Sequence, residues 1–197
     1  PAVQVAEEQI SSDKTIKNAF KLADGKITEG VLIPTTKRMT ACISSQVGCS
    51  LNCKFCATGK LKLMRNIQFD EIYDQVAIIK EQAEKYYQRP LSNIVYMGMG
   101  EPLLNYSQML KSIDRITAED GLGMSPKRIT VSTAGIAKLI KRLGDDEVKF
   151  NLALSLHAAN DEKRSKIMPI NEQNNLEILA EALQYFYEKT GSRVTFE

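Results

Sequence analysis

Helix-period segments separated by short β-rich runs constrain the fold of this chain more than any other feature. Residues 69–88 place Ile72, Val76, Ile79, Ala83 and Tyr86 on one stripe, carry acids in the first turn, and meet Pro90 beyond their end. A second helix is predicted over 107–120, with Leu110, Ile113 and Thr117 inward and Gly121 as its C-cap. A shorter one covers 136–143. The fourth, 175–189, is striped by Leu176, Leu179, Leu183 and Phe186 and stops at Gly191. Between them lie β-rich runs at 40–46, 93–98, 128–134, 149–158 and from 193 onward. Strand, helix, strand, helix predicts an α/β fold with a parallel sheet.

Such a sheet is either open or rolled into a barrel, and alternation within the strands decides between them. Phe150, Leu152, Leu154 and Leu156 share one face of their run, while Asn151, Ala153, Ser155 and His157 share the other. Ile129 and Val131 oppose Thr130 and Ser132 in the same way. A strand sandwiched between two helix layers is apolar on both faces; here one face is small and polar. The expectation is therefore a partial (βα) barrel of about five of six strands, with polar residues lining its interior near the strand C-termini, where α/β barrels keep their active sites.

The segment before the barrel differs. Residues 19–33 read as two strands around Asp24-Gly25, a strong hairpin signal. The expected organisation is a poorly ordered leader over 1–14, a β-hairpin cap over 15–36, and the barrel over 37–197. The chain starts without methionine and stops inside a strand-like run, so it is expected to be an excised core of a longer protein. It has no leader peptide and no apolar run near the roughly 20 residues of a membrane span, so a soluble, cytoplasmic protein with no membrane partner is expected. The formal net charge of +2 decides little. Its distribution says more: Lys54, Lys60, Lys62 and Arg65 stand between 52 and 68 with no acid among them. That stretch suits a phosphate-facing loop or a solvated one.

All 4 cysteines fall between positions 42 and 56, too local for a disulfide framework and suggestive of metal or redox work. Cys49, Cys53 and Cys56 are spaced Cys-x3-Cys-x2-Cys, and Cys42 stands upstream. Four thiolates normally hold a 4Fe-4S cluster. Three leave one iron free to bind a small molecule and pass it an electron. The alternative is a four-thiolate zinc site that recruits Cys42, although zinc knuckles come as two close pairs and the gap from Cys42 to Cys49 fits them poorly.

Cys-x3-Cys-x2-Cys with Phe55 before the third cysteine resembles the radical S-adenosylmethionine superfamily. Gly98-Met99-Gly100-Glu101-Pro102 after the second strand resembles its motif for the methionine amino group. With Cys42-Ile43-Ser44-Ser45-Gln46-Val47-Gly48-Cys49, Val131-Ser132-Thr133-Ala134-Gly135, Leu154-Ser155-Leu156-His157-Ala158 and Val194-Thr195-Phe196-Glu197, the ordered set resembles the RlmN/Cfr family of RNA methyltransferases, closest to its RlmN-type members, from about Gly25 to Glu197.

The resemblance implies two cofactors, a 4Fe-4S cluster on Cys49, Cys53 and Cys56 and S-adenosyl-L-methionine bound by Gly100, Glu101, Ser132, Ser155, Leu156 and His157, with Phe55 near the adenine or the cluster. His157, the sole histidine, is equally readable as a hydrogen-bonded barrel residue. Cleavage of S-adenosylmethionine yields a 5′-deoxyadenosyl radical. In the family mechanism that radical abstracts hydrogen from a methyl group carried on a cysteine, the carbon radical adds to an adenine ring, and a second cysteine resolves the adduct by disulfide formation. Cys42 matches the resolving cysteine, and Glu29 matches a position regarded as a candidate proton acceptor. No cysteine follows Cys56, so the methyl carrier is absent and this piece is not expected to methylate by itself. The implied partners are 23S rRNA, tRNA and an external electron donor such as flavodoxin. Three functions stay open: methylation of adenosine carbon 2, methylation of carbon 8, and a zinc-stabilised RNA-binding module without catalysis.

Overall fold

The structure is a computed structural model that describes all residues from Pro1 to Glu197. The chain opens with strands β1 (Val3–Ile10), β2 (Ile16–Leu22) and β3 (Ile27–Pro34), which pair antiparallel in that order. Strand β4 (Met39–Cys42) pairs antiparallel with β3 and begins the alternating part of the fold. After it come β5 (Gln46–Val47) and β6 (Arg65–Asn66), a small second sheet. The alternation continues with α1 (Phe69–Tyr87), β7 (Asn93–Tyr96), α2 (Tyr106–Thr117), β8 (Ile129–Thr133), α3 (Ala137–Asp145), β9 (Asn151–Leu154), α4 (Asp161–Ile167), α5 (Leu176–Thr190) and β10 (Val194–Phe196). One eight-stranded sheet has the order β1-β2-β3-β4-β7-β8-β9-β10. Strands β4, β7, β8, β9 and β10 run parallel, the five strands that the sequence pattern predicts for a partial barrel. No helix is long and apolar enough to cross a membrane.

Local chemistry sets the helix ends. The Glu71 carboxylate reaches back 3.0 Å to the Gln68 N–H at the start of α1, one half of a capping box. In α5 the Asn175 side chain caps the Ile178 N–H, and Gly191 closes the helix in the left-handed region at φ 65°. The stripe Ile72, Val76, Ile79 and Ala83 of α1 is fully buried against the sheet, beside Phe20, Leu32 and Ile94.

One expectation is overturned, one is extended, and one element is new. Residues 1–14 are not a disordered leader, because β1 is a paired strand. Only Val3 of β1 is buried, so the strand carries no apolar alternation to read. Its anchors are ladder hydrogen bonds to β2 and the Glu8 carboxylate, which accepts from Gln82 and Tyr86 of α1. The hairpin expected over 15–36 is present as β2 and β3. Its turn is where Asp24-Gly25 predicts it, with Gly25 at φ 84°, but the strands continue the parallel sheet through β4. Helix α4 was not foreseen; its seven residues are too few to show a period.

The antiparallel extension packs tightly on α1. A Cβ on Gly30 would lie 2.3 Å from the buried Phe20 ring and 3.3 Å from Ile79. Gly30→Ala is expected to cost about 1–3 kcal/mol by overpacking, read as a lower urea midpoint. Phe20→Leu in that background is expected to recover part of the loss, whereas Phe20→Leu alone destabilises.

Candidate functional site

The carboxyl ends of β4 and β7 are lashed together by main-chain groups. Ser45 and Gln46 both donate N–H to the Met99 carbonyl, at 3.0 and 3.2 Å. Ser44 Oγ accepts from the Met99 N–H and donates to the Glu29 carbonyl. Gln46 Oε1 accepts from the Glu101 N–H at 2.8 Å. This contact needs glycine: a Cβ on Gly98 would lie 2.7 Å from the Ile43 carbonyl, and one on Gly100, at φ 96°, would lie 2.4 Å from Gln46 Cβ.

Residues 48–64 leave this junction as a loop that β5 and β6 close, and it carries all three spaced cysteines. The loop folds on itself. Cys56 N–H donates to the Cys53 carbonyl, Gly59 N–H to the Cys56 carbonyl, and Cys49 N–H to the Leu61 carbonyl. Gly59 packs so closely that a Cβ would lie 2.6 Å from the Cys53 carbonyl oxygen. Lys54 N–H ties the loop to the end of α4 through the Ile167 carbonyl at 2.9 Å. At its base the Arg65 guanidinium bridges Asp24 in the β2–β3 turn and Glu71 of α1, at 2.8 Å to each.

A cavity of about 200 Å³ opens between this loop and the strand ends. Cys49, Cys53, Cys56 and Phe55 line one side, and Gly98, Gly100, Glu101, Ser132 and Ser155 the other. The hydroxyls of Ser132 and Ser155 are 3.4 Å apart on the interior face, as strand alternation predicts. Thr133 and Met168 also line it; neither was singled out from sequence, and nothing in their local pattern marks them.

The electrostatics fit a cationic guest. Burial pushes the Cys53 thiol up to about 11, helped by the neighbouring Cys49 and Cys56, and burial raises Cys49 as well, followed by Glu101 and Cys56. Three thiols that resist ionising together are a donor set that a positively charged iron–sulfur core would stabilise as thiolates.

The other sequence-predicted residues are placed differently. The Glu101 carboxylate is buried and spent on the main chain, accepting from Leu103 N–H at 3.2 Å and Ala134 N–H at 2.8 Å. Burial raises its pKa against those hydrogen bonds. Leu156 is corrected: its side chain lies on the opposite face of the sheet, in an apolar groove with Leu179, Leu183 and Phe196. Odd and even positions of a strand point to opposite faces, and Leu156 continues the helix-facing series of Leu152 and Leu154. His157 sits outside the cavity lining, at φ 55°, with its ring 4.3 Å from that of Phe55. Cys42 pairs across β3–β4 with Val31, two residues from Glu29, so both belong to the interior face of the sheet. Glu29 itself is exposed and pairs with Lys17 at 3.4 Å, away from the cavity. All four cysteines are free, so no disulfide forms within this chain.

A core of five parallel strands with a three-cysteine loop over their carboxyl ends has counterparts among known proteins. The radical SAM superfamily model matches residues 43–196, and the chain belongs to that superfamily. Curated relatives include a probable dual-specificity RNA methyltransferase RlmN of Cytophaga hutchinsonii, 65% identical over 99% of this chain and 53% of that protein. The protein of the same description from Christiangramia forsetii is 60% identical over 99% of this chain and 55% of its own length. The crystal structure of a radical SAM methyltransferase from Sphaerobacter thermophilus matches with a TM-score of 0.95 at 39% identity, over 99% of this chain and 57% of that one. The chain thus spans about half the length of the curated relatives it matches.

Two predictions follow from these environments. Burial holds Cys42 at a pKa of about 11 against an ordinary 9.0, leaving about a hundredfold less thiolate at pH 8 than an ordinary thiol has. Peptide mapping after iodoacetamide treatment should therefore show Cys42 alkylated at least that much more slowly in native protein than in urea. Burial raises Glu71, but the Arg65 guanidinium and the Gln68 N–H outweigh it and leave its pKa below the ordinary 4.5. A depressed carboxylate stabilises fully above its unfolded value and loses that contribution as pH falls through its folded value. The urea midpoint of Glu71→Gln should lie below wild type at pH 7, with the gap narrowing as the pH falls below 4.5.

Proposed function

We propose that this chain is the radical-forming core of an RlmN-type methyltransferase that modifies carbon 2 of adenosine in 23S rRNA and tRNA. One observation carries the reading: three free thiols, a glycine-bearing strand end and two serine hydroxyls meet in one cavity at the carboxyl ends of parallel strands. The dual-specificity RNA methyltransferase description of relatives as similar as 65% extends it from cofactor to substrate. In this reading residues 37–197 form the barrel and the preceding strands extend its sheet.

Cys49, Cys53 and Cys56 hold a 4Fe-4S cluster, and the adjoining cavity takes S-adenosylmethionine. When bound, the cluster supplies the electron that cleaves S-adenosylmethionine. The chain's own residues orient the pieces. Gly98 and Gly100, which carry no side chains, offer main-chain carbonyl groups to the methionine ammonium, while the Met99 carbonyl between them is held by Ser45 and Gln46. Glu101 acts by fixing the Ala134 and Leu103 amides, because its carboxylate is already engaged with them. Ser132 and Ser155 present hydroxyls to the polar atoms of the cofactor, while Phe55, with His157 against its ring, shields the cavity from the open side. Cys42 is held as a thiol on the interior face, and a resolving role there requires a base; Glu29, exposed and paired with Lys17 away from the cavity, has to leave that pair to serve as the proton acceptor in this reading. The methyl-carrying cysteine lies outside residues 1–197. A cytoplasmic location, RNA partners and a low-potential donor such as flavodoxin belong to the same proposal.

Anaerobic reconstitution of the full-length protein tests it. About four irons per chain and a brown chromophore are expected, both lost in Cys53→Ala; stoichiometric zinc without iron overturns the reading. Mass spectrometry of the modified adenosine is expected to give the carbon-2 isomer, and the carbon-8 isomer would reassign the target atom. Ser132→Ala and Ser155→Ala are each expected to weaken S-adenosylmethionine binding by about 0.5–1.5 kcal/mol in calorimetry, with iron content unchanged.

A further inference from the structure

Arg164, in α4, is the largest fully buried side chain of the chain and makes no ion pair; the structure's ion pairs all lie elsewhere. A buried guanidinium normally meets a carboxylate or phosphate. This one meets neutral acceptors instead. Its Nη2 donates to the carbonyls of Ala134 and Ser155, its Nε to the Leu156 carbonyl at 3.1 Å, and its Nη1 to Asn171 Oδ1 at 2.8 Å. Three of those acceptors are the main chain just past the ends of β8 and β9, beside Ser132 and Ser155 of the cavity. Two carboxylates in this network are each one residue removed: Asp161 accepts from Asn171, which accepts from Arg164, and Glu101 accepts from the Ala134 N–H, whose carbonyl accepts from Arg164. On its other side the helix end is joined to the cysteine loop through Lys54 N–H and the Ile167 carbonyl. Satisfied hydrogen bonds lower the cost of burying the charge but do not neutralise it, and in a buried setting it acts on the adjoining cysteine loop against the opposite charge of Glu101.

We infer that Arg164 is the resident cation of the cysteine site: it clamps the ends of β8 and β9 and, lacking a carboxylate of its own, raises the reduction potential of a cluster held by Cys49, Cys53 and Cys56. This rests on the cluster reading above. It makes Arg164 a positioning residue that touches neither substrate nor cluster. Two roles are combined, and they separate by substitution. Arg164→Lys keeps the charge and loses most of the clamp; Arg164→Gln loses both. The exchange Asp161→Asn with Asn171→Asp keeps the net charge and gives up the Asn171 Nδ2 donation to the Asp161 carbonyl, while it moves a carboxylate into direct contact with the guanidinium, cancelling its field without emptying the site.

The test uses the full-length protein reconstituted anaerobically, with mediated dithionite titration of the one-electron cluster signal by electron paramagnetic resonance. Arg164→Gln and the Asp161/Asn171 exchange are each expected to lower the midpoint by about 60 mV, the one-electron equivalent of a tenfold change in the reduction equilibrium. Arg164→Lys is expected to hold the wild-type midpoint while weakening S-adenosylmethionine binding about tenfold, as the β8 and β9 ends loosen. Midpoints unchanged in the exchange, with iron content equal to wild type, overturn the inference, and the exchange serves as the deciding variant should Arg164→Gln fail to fold. Failure of wild-type protein to take up iron refutes the cluster reading instead, so the two outcomes are distinct.

Discussion

The junction between Ser44–Gln46 and Gly98–Glu101 is the constraint on which the rest of the site depends. It joins main-chain groups to two side chains: the Met99 carbonyl takes two N–H donors from the residues after β4, and the Met99 and Glu101 amides return to side chains of Ser44 and Gln46. Buried amides must be paired, and here they pair across two strand ends. The path after β4 is thereby fixed, and that path launches the cysteine loop. Gly98 and Gly100 are required because the approach leaves no room for a Cβ.

From that junction the fold spends its polar groups outward in a chain of loop-to-loop bonds. Asn105 Nδ2 holds the Ser45 and Ile67 carbonyls at 2.8 Å each, so the base of the cysteine loop is fastened to the turn after β7. Gln75 of α1 exchanges two hydrogen bonds with the Ser44 backbone. Each such bond contributes only about 0.5–1.5 kcal/mol net, yet leaving its buried partner unmet costs about 1–3 kcal/mol. The asymmetry favours one arrangement over near alternatives, which a cavity that must orient a flexible cofactor needs more than it needs added stability.

The parallel core was legible because its signals are local and periodic. The stripe of Ile72, Val76 and Ile79 and the caps at Asn175 and Gly191 mark helices that the structure forms within a residue or two. Strand alternation at 149–158 separated Ser155 from Leu154 correctly, and it also contained the answer for Leu156, which motif resemblance pulled to the wrong face. What sequence did not carry was pairing without pattern. Strand β1 is held by its backbone and by Glu8, and seven-residue α4 is too short for periodicity. Glu101 lines the cavity as its motif position implies, but that position says nothing of the main-chain N–H groups its carboxylate holds. Arg164 drew no expectation from the sequence, since burial of a lone Arg leaves no trace in its neighbours.

Glu101 and Arg164 show how far that hidden layer extends. Neither charged group meets the other, and both are buried. They are joined through one residue, Ala134, whose N–H donates to the Glu101 carboxylate and whose carbonyl accepts from the Arg164 guanidinium. An anion on the donor side and a cation on the acceptor side polarise the flanking peptides in the same sense, so each hydrogen bond strengthens the other. The loop after β8 is thus held by two charges supplied from β7's end and from α4, elements far apart in sequence. A change at either charge loosens the same backbone, beside Ser132. That coupling explains why a cavity at the mouth of a sheet left open at β10 still has one defined wall.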